Sequence, residues 1–489
     1  MAIDLAPADL IAKYEPVIGL EVHVQLGTRT KIFCGCATSF GAPPNTNVCP
    51  VCLGLPGALP VLSRQAVELA MRAAMSLSCD LRPVSRFARK NYFYPDSPKG
   101  YQISQYDEPL AEHGHVDIEV HGAKKRIGIT RIHMEDDAGK SKHDGFSDSS
   151  RYTYVDLNRC GAPLIEIVSE PDMRSSDEAF AYLTGVKQTL QFVESSTCDM
   201  EKGHLRCDAN VSVRLKGAEK FGTRAEVKNL NSFRFLKQAI DYEIARQVAI
   251  LESGGTIHQE TRLFDSDSGE TFGMRSKEDA HDYRYFPEPD LAPLVISAKW
   301  RAEVAASMPE LPAVRRVRFV NEYGLSEYDA NVLTATREVS DYFEEVARVS
   351  TNPKMAANWV MGDLAGMLKA AEKDIVDSPI SATHLGELVG LIVKGELTGK
   401  IAKDVLPKMF ESGEAPAVIV EREGLKAVND TGALEKIVDE VIAASPKQVE
   451  QYKSGKTTVI GYLVGQAMKA SRGQANPATL NELFKSKLS

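Results

Sequence analysis

The stretch Val17-Ile18-Gly19-Leu20-Glu21-Val22-His23-Val24-Gln25 has the period of a β-strand. Ile18, Leu20, Val22 and Val24 point one way, and Gly19, Glu21, His23 and Gln25 point the other. The second face sets a carboxylate beside an imidazole. Carboxylate oxygen and neutral imidazole nitrogen are ordinary ligands for a divalent ion, and the same pair can handle a proton. A half-exposed strand with a wet face reads the same way, so the rest of the chain has to decide.

Two further runs have this character. In Ile127 to Glu135, the residues Arg131, His133 and Glu135 share one face and Thr130, Ile132 and Met134 the other, and Asp136, Asp137, Ala138, Gly139 and Lys140 follow at once. Successive acids repel one another unless a cation lies among them, so a magnesium site is one reading and a solvated acidic turn the other. Ala162 to Glu170 carries Glu166 in the middle of an otherwise apolar strand, where an ionised carboxylate calls for a metal, an arginine or a catalytic duty. Metal-bridged charge neutralisation with positioning is what phosphoryl transfer needs. The chain has neither a G-x-x-x-x-G-K-[ST] loop nor a kinase glycine-rich loop, so an ATP site here is of neither common type.

Between the first two runs lie two more motifs. Cys34-Gly-Cys36 and Cys49-Pro-Val-Cys52 are separated by a loop rich in Gly, Pro and Asn, and can converge as a tetrahedral four-sulfur site whose usual occupant is zinc. Four protein ligands leave no open coordination position, so the site reads as a clamp; four reduced, buried cysteines are the alternative. From Arg86 to Tyr106, Arg86, Arg89, Lys90 and Lys99 alternate with Tyr92, Phe93, Tyr94 and Tyr101. Basic groups meet phosphate and aromatic faces stack on bases, which makes this a nucleotide- or RNA-facing wall unless the aromatics are tucked into a core.

The 489 residues are 43% hydrophobic and 26% charged with a formal net charge of −9, an ordinary globular composition that argues against a general nucleic-acid-coating protein. No apolar run approaches the roughly eighteen residues of a membrane span, no basic-then-apolar leader opens the chain, and the clustered cysteines fit a reducing compartment; the expected location is cytoplasmic, with no membrane partner. The fold class expected is α+β: a large antiparallel-sheet cradle domain over 1–294, a helical domain over 295–405 and a small all-helical tail over 406–489. Short β-like pieces, Arg206 to Leu215 and Ala225 to Phe233, the helical stretch Phe235 to Leu251 and the basic-aromatic run Asp282 to Asp290 complete the first of these.

Beyond it the period becomes helical. Ser381 can cap a segment with the stripe Leu385, Leu388, Val389 and Ile392. Leu434, Ile437, Val438, Val441 and Ile442 form another stripe, Ile460, Leu463, Val464, Ala467 and Met468 a third, and Asn476-Pro477 starts the last helix. From Gln451 onward Lys453, Lys456, Lys469, Arg472, Lys485 and Lys487 face the single acid Glu482, a local excess that points to a helical module for an RNA backbone or to a solvated basic face.

Taken in order, GLEVHVQL, the cysteine pairs, RKNYFYPDSPKGYQIS, RIHMEDDAGK, LIEIVSEPD, AEVKNLNSF, YRYFPEPD and LVGQAMKASRGQANP resemble the B-subunit family of bacterial glutamine-dependent aspartyl/glutamyl-tRNA(Asn/Gln) amidotransferases, from about Tyr14 to the C-terminus. The resemblance implies a cradle-shaped first domain and a tail that contacts tRNA through Lys453, Lys456, Lys469 and Arg472. It implies ATP, Mg2+ and Zn2+ as cofactors, and a heterotrimer with an amidase (glutaminase) partner, which hydrolyses glutamine, and a third, small partner protein. The reaction implied is phosphorylation of the side-chain carboxylate of Glu-tRNA(Gln) or Asp-tRNA(Asn), followed by attack of ammonia. Carried over by position, Glu21, His23, Glu135, Asp136 and Glu166 line the phosphorylation site, with Glu21, His23 and Glu135 as magnesium ligands. Arg89, Lys90, Tyr92, Lys99 and Tyr101 form the nucleotide-facing wall, and Cys34, Cys36, Cys49 and Cys52 match the zinc-binding form of the family. Where many relatives have Glu-Glu-Asp, this chain has Glu135-Asp136-Asp137. The rival reading from another class is a non-catalytic, zinc-clamped tRNA-binding scaffold.

Overall fold

A computed structural model of the chain describes residues 5–276, 283–425, 431–471 and 475–488. Its backbone falls into two compact units, Met1–Leu311 and Pro312–Ser489.

The first unit is built on one nine-stranded sheet. In chain order its strands are β1 (Tyr14–Gln25), β2 (Asp80–Leu81), β3 (Ala111–Val120), β4 (Ala123–Asp136), β5 (Pro163–Ser169), β6 (Leu205–Leu215), β7 (Ala225–Lys228), β8 (Glu260–Asp265) and β9 (Glu270–Ser276). Across the sheet they run β9-β8-β7-β6-β1-β5-β4-β3-β2, so the opening strand lies at the centre, antiparallel to both β5 and β6. One pairing, β7 with β8, is parallel, which makes the sheet mixed where the sequence pointed to antiparallel alone.

Alternation in β1 decides what the sheet buries. Ile18, Leu20, Val22 and Val24 are all within 1% of complete burial and join one core with Ile165 and Ile167 of β5, Met134 of β4 and Ala209 of β6. The same core takes in Met71, Leu183 and Ile240 from the helices Arg64–Ser76, Ser176–Phe192 and Phe233–Glu252. Each of those helices starts on a serine whose hydroxyl accepts an N–H of the first turn: Ser63 from Ala66, Ser175 from Glu178 and Ser232 from Phe235. Such caps stabilise a helix start by about 1 kcal/mol. A small sheet of Ala88–Asn91, Tyr101–Ser104 and Phe286–Pro287 carries the basic-aromatic motif.

The second unit is helical throughout its described residues. One cluster holds Phe319, Phe343, Leu385, Leu388, Val389 and Leu406, and a separate one holds Leu434, Val438, Leu463, Ala467, Leu480 and Phe484. The Ser381 cap is made, to the N–H of His384 at 3.2 Å, and Pro477 opens the final helix, Pro477–Leu488. The helix Ala298–Ala306 belongs with the first unit, where Trp300 donates to Glu68 at 3.0 Å. The boundary expected at 405/406 lies inside the helix Gly399–Ser412, whose Val405 and Leu406 are both core residues of the first helical cluster.

Candidate active site

Cross-strand register assembles the site. Arg206 of β6, His23 of β1, Glu166 of β5 and His133 of β4 stand directly opposite one another in a single row on the face away from the core. Glu135, two residues along β4, shares that face. His23 Nε2 lies 3.3 Å from Glu166 Oε2 and 3.6 Å from Glu135 Oε1, and His133 Nε2 lies 3.2 Å from Glu166 Oε2.

One ligand atom each from His23, Glu135 and Glu166 falls within 4.8 Å of the others. Two carboxylates and an imidazole suit a magnesium- or manganese-like ion. Glu135 and Glu166 are 2% and 8% exposed, so their charge demands a cation at close range. Burial works against a charged His23, yet the hydrogen bond to Glu166 and the charges of Glu166 and Glu135 outweigh it and raise the imidazole to about 9. Burial likewise opposes ionisation of Glu166, and His133 and His23 overcome it, holding the carboxyl well below its ordinary range. A proton on His23 thus balances the charge that a metal would balance, which is the signature expected of an electronegative cation site.

Glu21 sits on the same face but outside this group, accepting from Asn210 Nδ2 at 2.9 Å. Burial, then the charge of Glu166, raises its carboxyl above the usual range. Asp136 is turned away from the group. It pairs with Lys99 and accepts the N–H of Ile103 at 2.7 Å, because β4 continues through it and alternation sends it to the face opposite Glu135. Asp137 is gripped by Arg206 at 2.6 Å and Arg159 at 3.2 Å.

The wall residues divide. Arg89 makes two hydrogen bonds to Glu288, at 2.7 and 2.8 Å, and its guanidinium lies 4.2 Å from the ring centre of Tyr101. Lys90 lies 5.1 Å from the ring centre of Tyr283; burial disfavours its charge, but Glu135 and Glu166 favour it and the net shift is upward. Tyr92 packs near Tyr94 and Tyr283. Lys90 therefore answers to the carboxylate group, while Arg89, Lys99 and Tyr101 are engaged with partners of their own.

The cysteine pairs converge as the spacing predicts. The sulfurs of Cys34, Cys36, Cys49 and Cys52 all lie within 4.8 Å of one another, and Cys49 and Cys52 are 3.9 Å apart. A tetrahedron with metal–sulfur bonds of about 2.3 Å has edges of about 3.8 Å, so the set fits zinc. Hydrogen bonding from Cys34 chiefly, helped by the Cys49 N–H and the charge of Lys31, lowers the Cys52 thiol to about 4 against the effect of burial. Burial, with Cys49 next, pushes Cys36 up to about 11. The knot is tied to the sheet, since the Cys160 thiol donates to the carbonyl of Cys52 and Gly161 N–H donates to the carbonyl of Asp137 at 2.8 Å. Gly161 has φ +83°, a conformation that favours glycine at this join.

Of the tail cations, Lys453 ends the helix Pro446–Lys453, Lys456 follows it, and Lys469 lies in the last turn of Ile460–Ala470. Arg472, and Asp282 of the basic-aromatic run, lie outside the described residues. Among the described residues no helix is long and apolar enough to cross a membrane.

Sequence reasoning left His133 and Arg206 out of the site. Each alternates onto the wet face of its strand, but only the register across β6, β1, β5 and β4 shows that both flank His23 and Glu166.

The fold and site define a class: an α+β protein with a sheet-borne group of carboxylates and imidazoles, a four-cysteine clamp and a helical C-terminal unit. Residues 16–302 match the GatB/GatE catalytic domain and residues 341–488 the GatB domain. The chain is 56% identical over 476 residues to the B subunit of the aspartyl/glutamyl-tRNA(Asn/Gln) amidotransferase of Carboxydothermus hydrogenoformans, covering 97% of this chain and 99% of that protein. It is 57% identical over 476 residues to the corresponding B subunit of Geotalea daltonii and 54% over 473 residues to that of Persephonella marina, covering 97% and 96% of this chain and 99% of each relative. The chain belongs to the family of aspartyl/glutamyl-tRNA(Asn/Gln) amidotransferase B subunits.

Proposed function

We propose that this chain carries out the ATP-dependent half of a glutamine-dependent tRNA amidotransferase reaction. Its substrates are Glu-tRNA(Gln), Asp-tRNA(Asn) or both, and it works in the cytoplasm as part of a heterotrimer with an amidase (glutaminase) partner and a third, small partner protein. The observation that carries the reading is the His23, Glu135 and Glu166 group, three ligands on one wet face of the central strands in a chain of this family.

The chemistry has a simple reason. Oxide is a hopeless leaving group from a carboxylate, whereas phosphate is a good one. A side-chain carboxylate oxygen of the misacylated residue attacks the γ-phosphorus of ATP; the bond to the bridging oxygen breaks and ADP leaves with its electron pair. Ammonia then attacks the acyl carbon, the bond to the phosphate oxygen breaks, and phosphate leaves with the electron pair while the nitrogen loses a proton. His23, Glu135 and Glu166 would hold Mg2+, which supplies charge neutralisation at phosphate oxygens. Glu21, hydrogen-bonded to Asn210, borders that group, and Lys90 adds positive charge facing its carboxylates. Asp136 acts from the other face by fixing Lys99 and the small sheet.

Cys34, Cys36, Cys49 and Cys52 hold Zn2+ as a structural clamp beside the Asp137 corner. Arg89, Tyr92, Lys99 and Tyr101 support the wall of the nucleotide site. Lys453, Lys456, Lys469 and Arg472 contact tRNA, and the helical unit comprises two functional parts that follow its two hydrophobic clusters. A non-catalytic scaffold would have no use for two buried carboxylates focused on a histidine.

The test is the complex reconstituted with its amidase and small partners, ATP, glutamine, magnesium and mischarged tRNA. Glu166→Gln is expected to lower tRNA-dependent ATP cleavage by at least about 100-fold while tRNA binding persists. Wild-type turnover in that variant would remove the metal group from the mechanism.

A further inference from the structure

The row that carries the candidate metal ligands ends in Arg206, directly across from His23. Side chains paired this way have Cβ atoms about 5 Å apart, well within the reach of a guanidinium. Arg206 lines a cleft of about 380 Å3 together with His23, Asp208, Lys228, Asn229 and Asn231. Among the described residues its one ion pair is to Asp137, through Nη2 at 2.6 Å, and its buried Nε has no hydrogen-bond partner there. Nη1 makes no hydrogen bond among the described residues and, unlike Nε, is not buried, so it is the nitrogen left to face the cleft.

We infer that Arg206 is a catalytic residue of the phosphoryl-transfer step, its guanidinium touching the oxygens of the phosphoryl group beside His23. The inference rests on the function proposed above and adds a group to it.

Three observations support this assignment over a purely structural one. Asp137 keeps a second cation, Arg159, whose Nε is 3.2 Å away and whose guanidinium also binds the carbonyls of Ala138 and Gly139. Neutralising Asp137 therefore does not require Arg206. The other cation of the cleft, Lys228, is held between Asp208 and Glu226 at 2.8 Å each, so its charge is matched twice. Finally, Arg206 stands on the same rung as His23 and Glu166 and lines one cleft with His23, so that its Nη1 and the His23 edge of the metal group border one space. During transfer the charge on the phosphoryl group is spread over three oxygens, and preorganised donors aimed at them contribute most of the acceleration. A planar guanidinium meets two of those oxygens at once, which an ammonium does not.

The step is the one already balanced above. Arg206 gains no proton and loses none; it holds the negative charge that accumulates as the bond to ADP lengthens.

The experiment uses the reconstituted heterotrimer with mischarged tRNA, ATP and ammonium chloride in place of glutamine, which isolates this chain's chemistry from glutamine hydrolysis. Arg206→Gln is expected to lower kcat for ATP cleavage by at least about 100-fold. Mn2+ affinity at the His23 group, read by electron paramagnetic resonance, stays within about twofold of wild type, because no ligand is removed. Arg206→Ala with added guanidinium chloride recovers at least about tenfold of the lost rate, and Arg206→Lys recovers less than that. Asp137→Asn serves as the structural control and has a smaller effect on kcat than Arg206→Gln.

Unchanged ATP cleavage in Arg206→Gln overturns the inference. So does a loss of rate that comes with lost Mn2+ affinity and no rescue by guanidinium, or one that Asp137→Asn reproduces in full. Failure of the underlying reading has a different signature: Glu166→Gln then turns over like wild type, or ATP cleavage does not depend on mischarged tRNA in the unmutated complex.

Discussion

Lys31 is 1% exposed and among the largest fully buried side chains of the molecule. Its Nζ donates to the carbonyl of Asn47 at 2.7 Å and to the sulfur of Cys52 at 3.4 Å. Four thiolates around a zinc ion leave an excess of negative charge, and a buried ammonium beside one of them offsets part of it. Lys31→Met keeps most of the stem and removes only the charge and the donors. It is expected to weaken zinc binding by about 10- to 100-fold, read as faster release to a chelator; an unchanged release rate would reduce Lys31 to packing. A second residue-scale expectation concerns protons. The folded-state value of His23, about 9, lies above its ordinary 6.5, so its pairing stabilises the metal-free chain fully below about pH 6.5 and that contribution fades as pH rises through about 9. A divalent ion must displace that proton. Between those limits Mn2+ affinity is therefore expected to climb by up to about tenfold per pH unit, and a flat titration from pH 7 to 9 would take His23 out of the ligand set.

At the level of the element, the opening strand was legible because its pattern is short-range: alternation alone places Ile18, Leu20, Val22 and Val24 in the core and Glu21 and His23 on the wet face. The four-sulfur knot was legible for a related reason, since two close pairs on one loop can hardly avoid each other. What the sequence hid is what register decides. Glu135, Asp136 and Asp137 look like one acidic cluster, yet β4 runs through Asp136, and its carboxylate meets Lys99 on the far side from Glu135. His133 and Arg206 join the site only because β6, β1, β5 and β4 bring positions far apart in the chain to the same rung. The knot also has an element-scale consequence. Its links to the sheet run through Cys160 and Gly161, so removal of the proposed zinc should loosen the Asp137 corner as well as the loop. After chelation, amide exchange is expected to rise by about tenfold or more at Leu53, whose N–H bonds the Cys49 carbonyl, and at Gly161, while Val22 of the central strand stays protected. Unaltered exchange at Gly161 would show that the clamp acts on its own loop alone.

For the whole molecule, the second unit contains a natural place to divide function. The hydrophobic cluster around Phe319, Phe343 and Leu406 takes its last member from Leu425, and the cluster around Leu463 and Phe484 takes its first from Leu434. Removing residues 431–489 therefore deletes the second cluster as a set and leaves the first complete. The helical stripes that define both clusters were readable from periodicity, whereas the partition was not, because one apolar stripe does not say which other it packs against. The deleted segment carries Lys453, Lys456 and Lys469 on or beside its helices. If these bind the RNA backbone, each phosphate left without its lysine should reduce the slope of log affinity against log salt by about 0.9 for a double-stranded region. The expected outcome is a tRNA affinity weakened by at least about tenfold at low salt, with a slope shallower by about 2 to 3, approaching the full-length value as salt rises. ATP cleavage at saturating mischarged tRNA should hold within about threefold, since the candidate active site lies wholly in the first unit. Affinity and slope unchanged by the deletion would place tRNA recognition on the sheet unit, and a lost kcat at saturating tRNA would mean that the tail does more than bind.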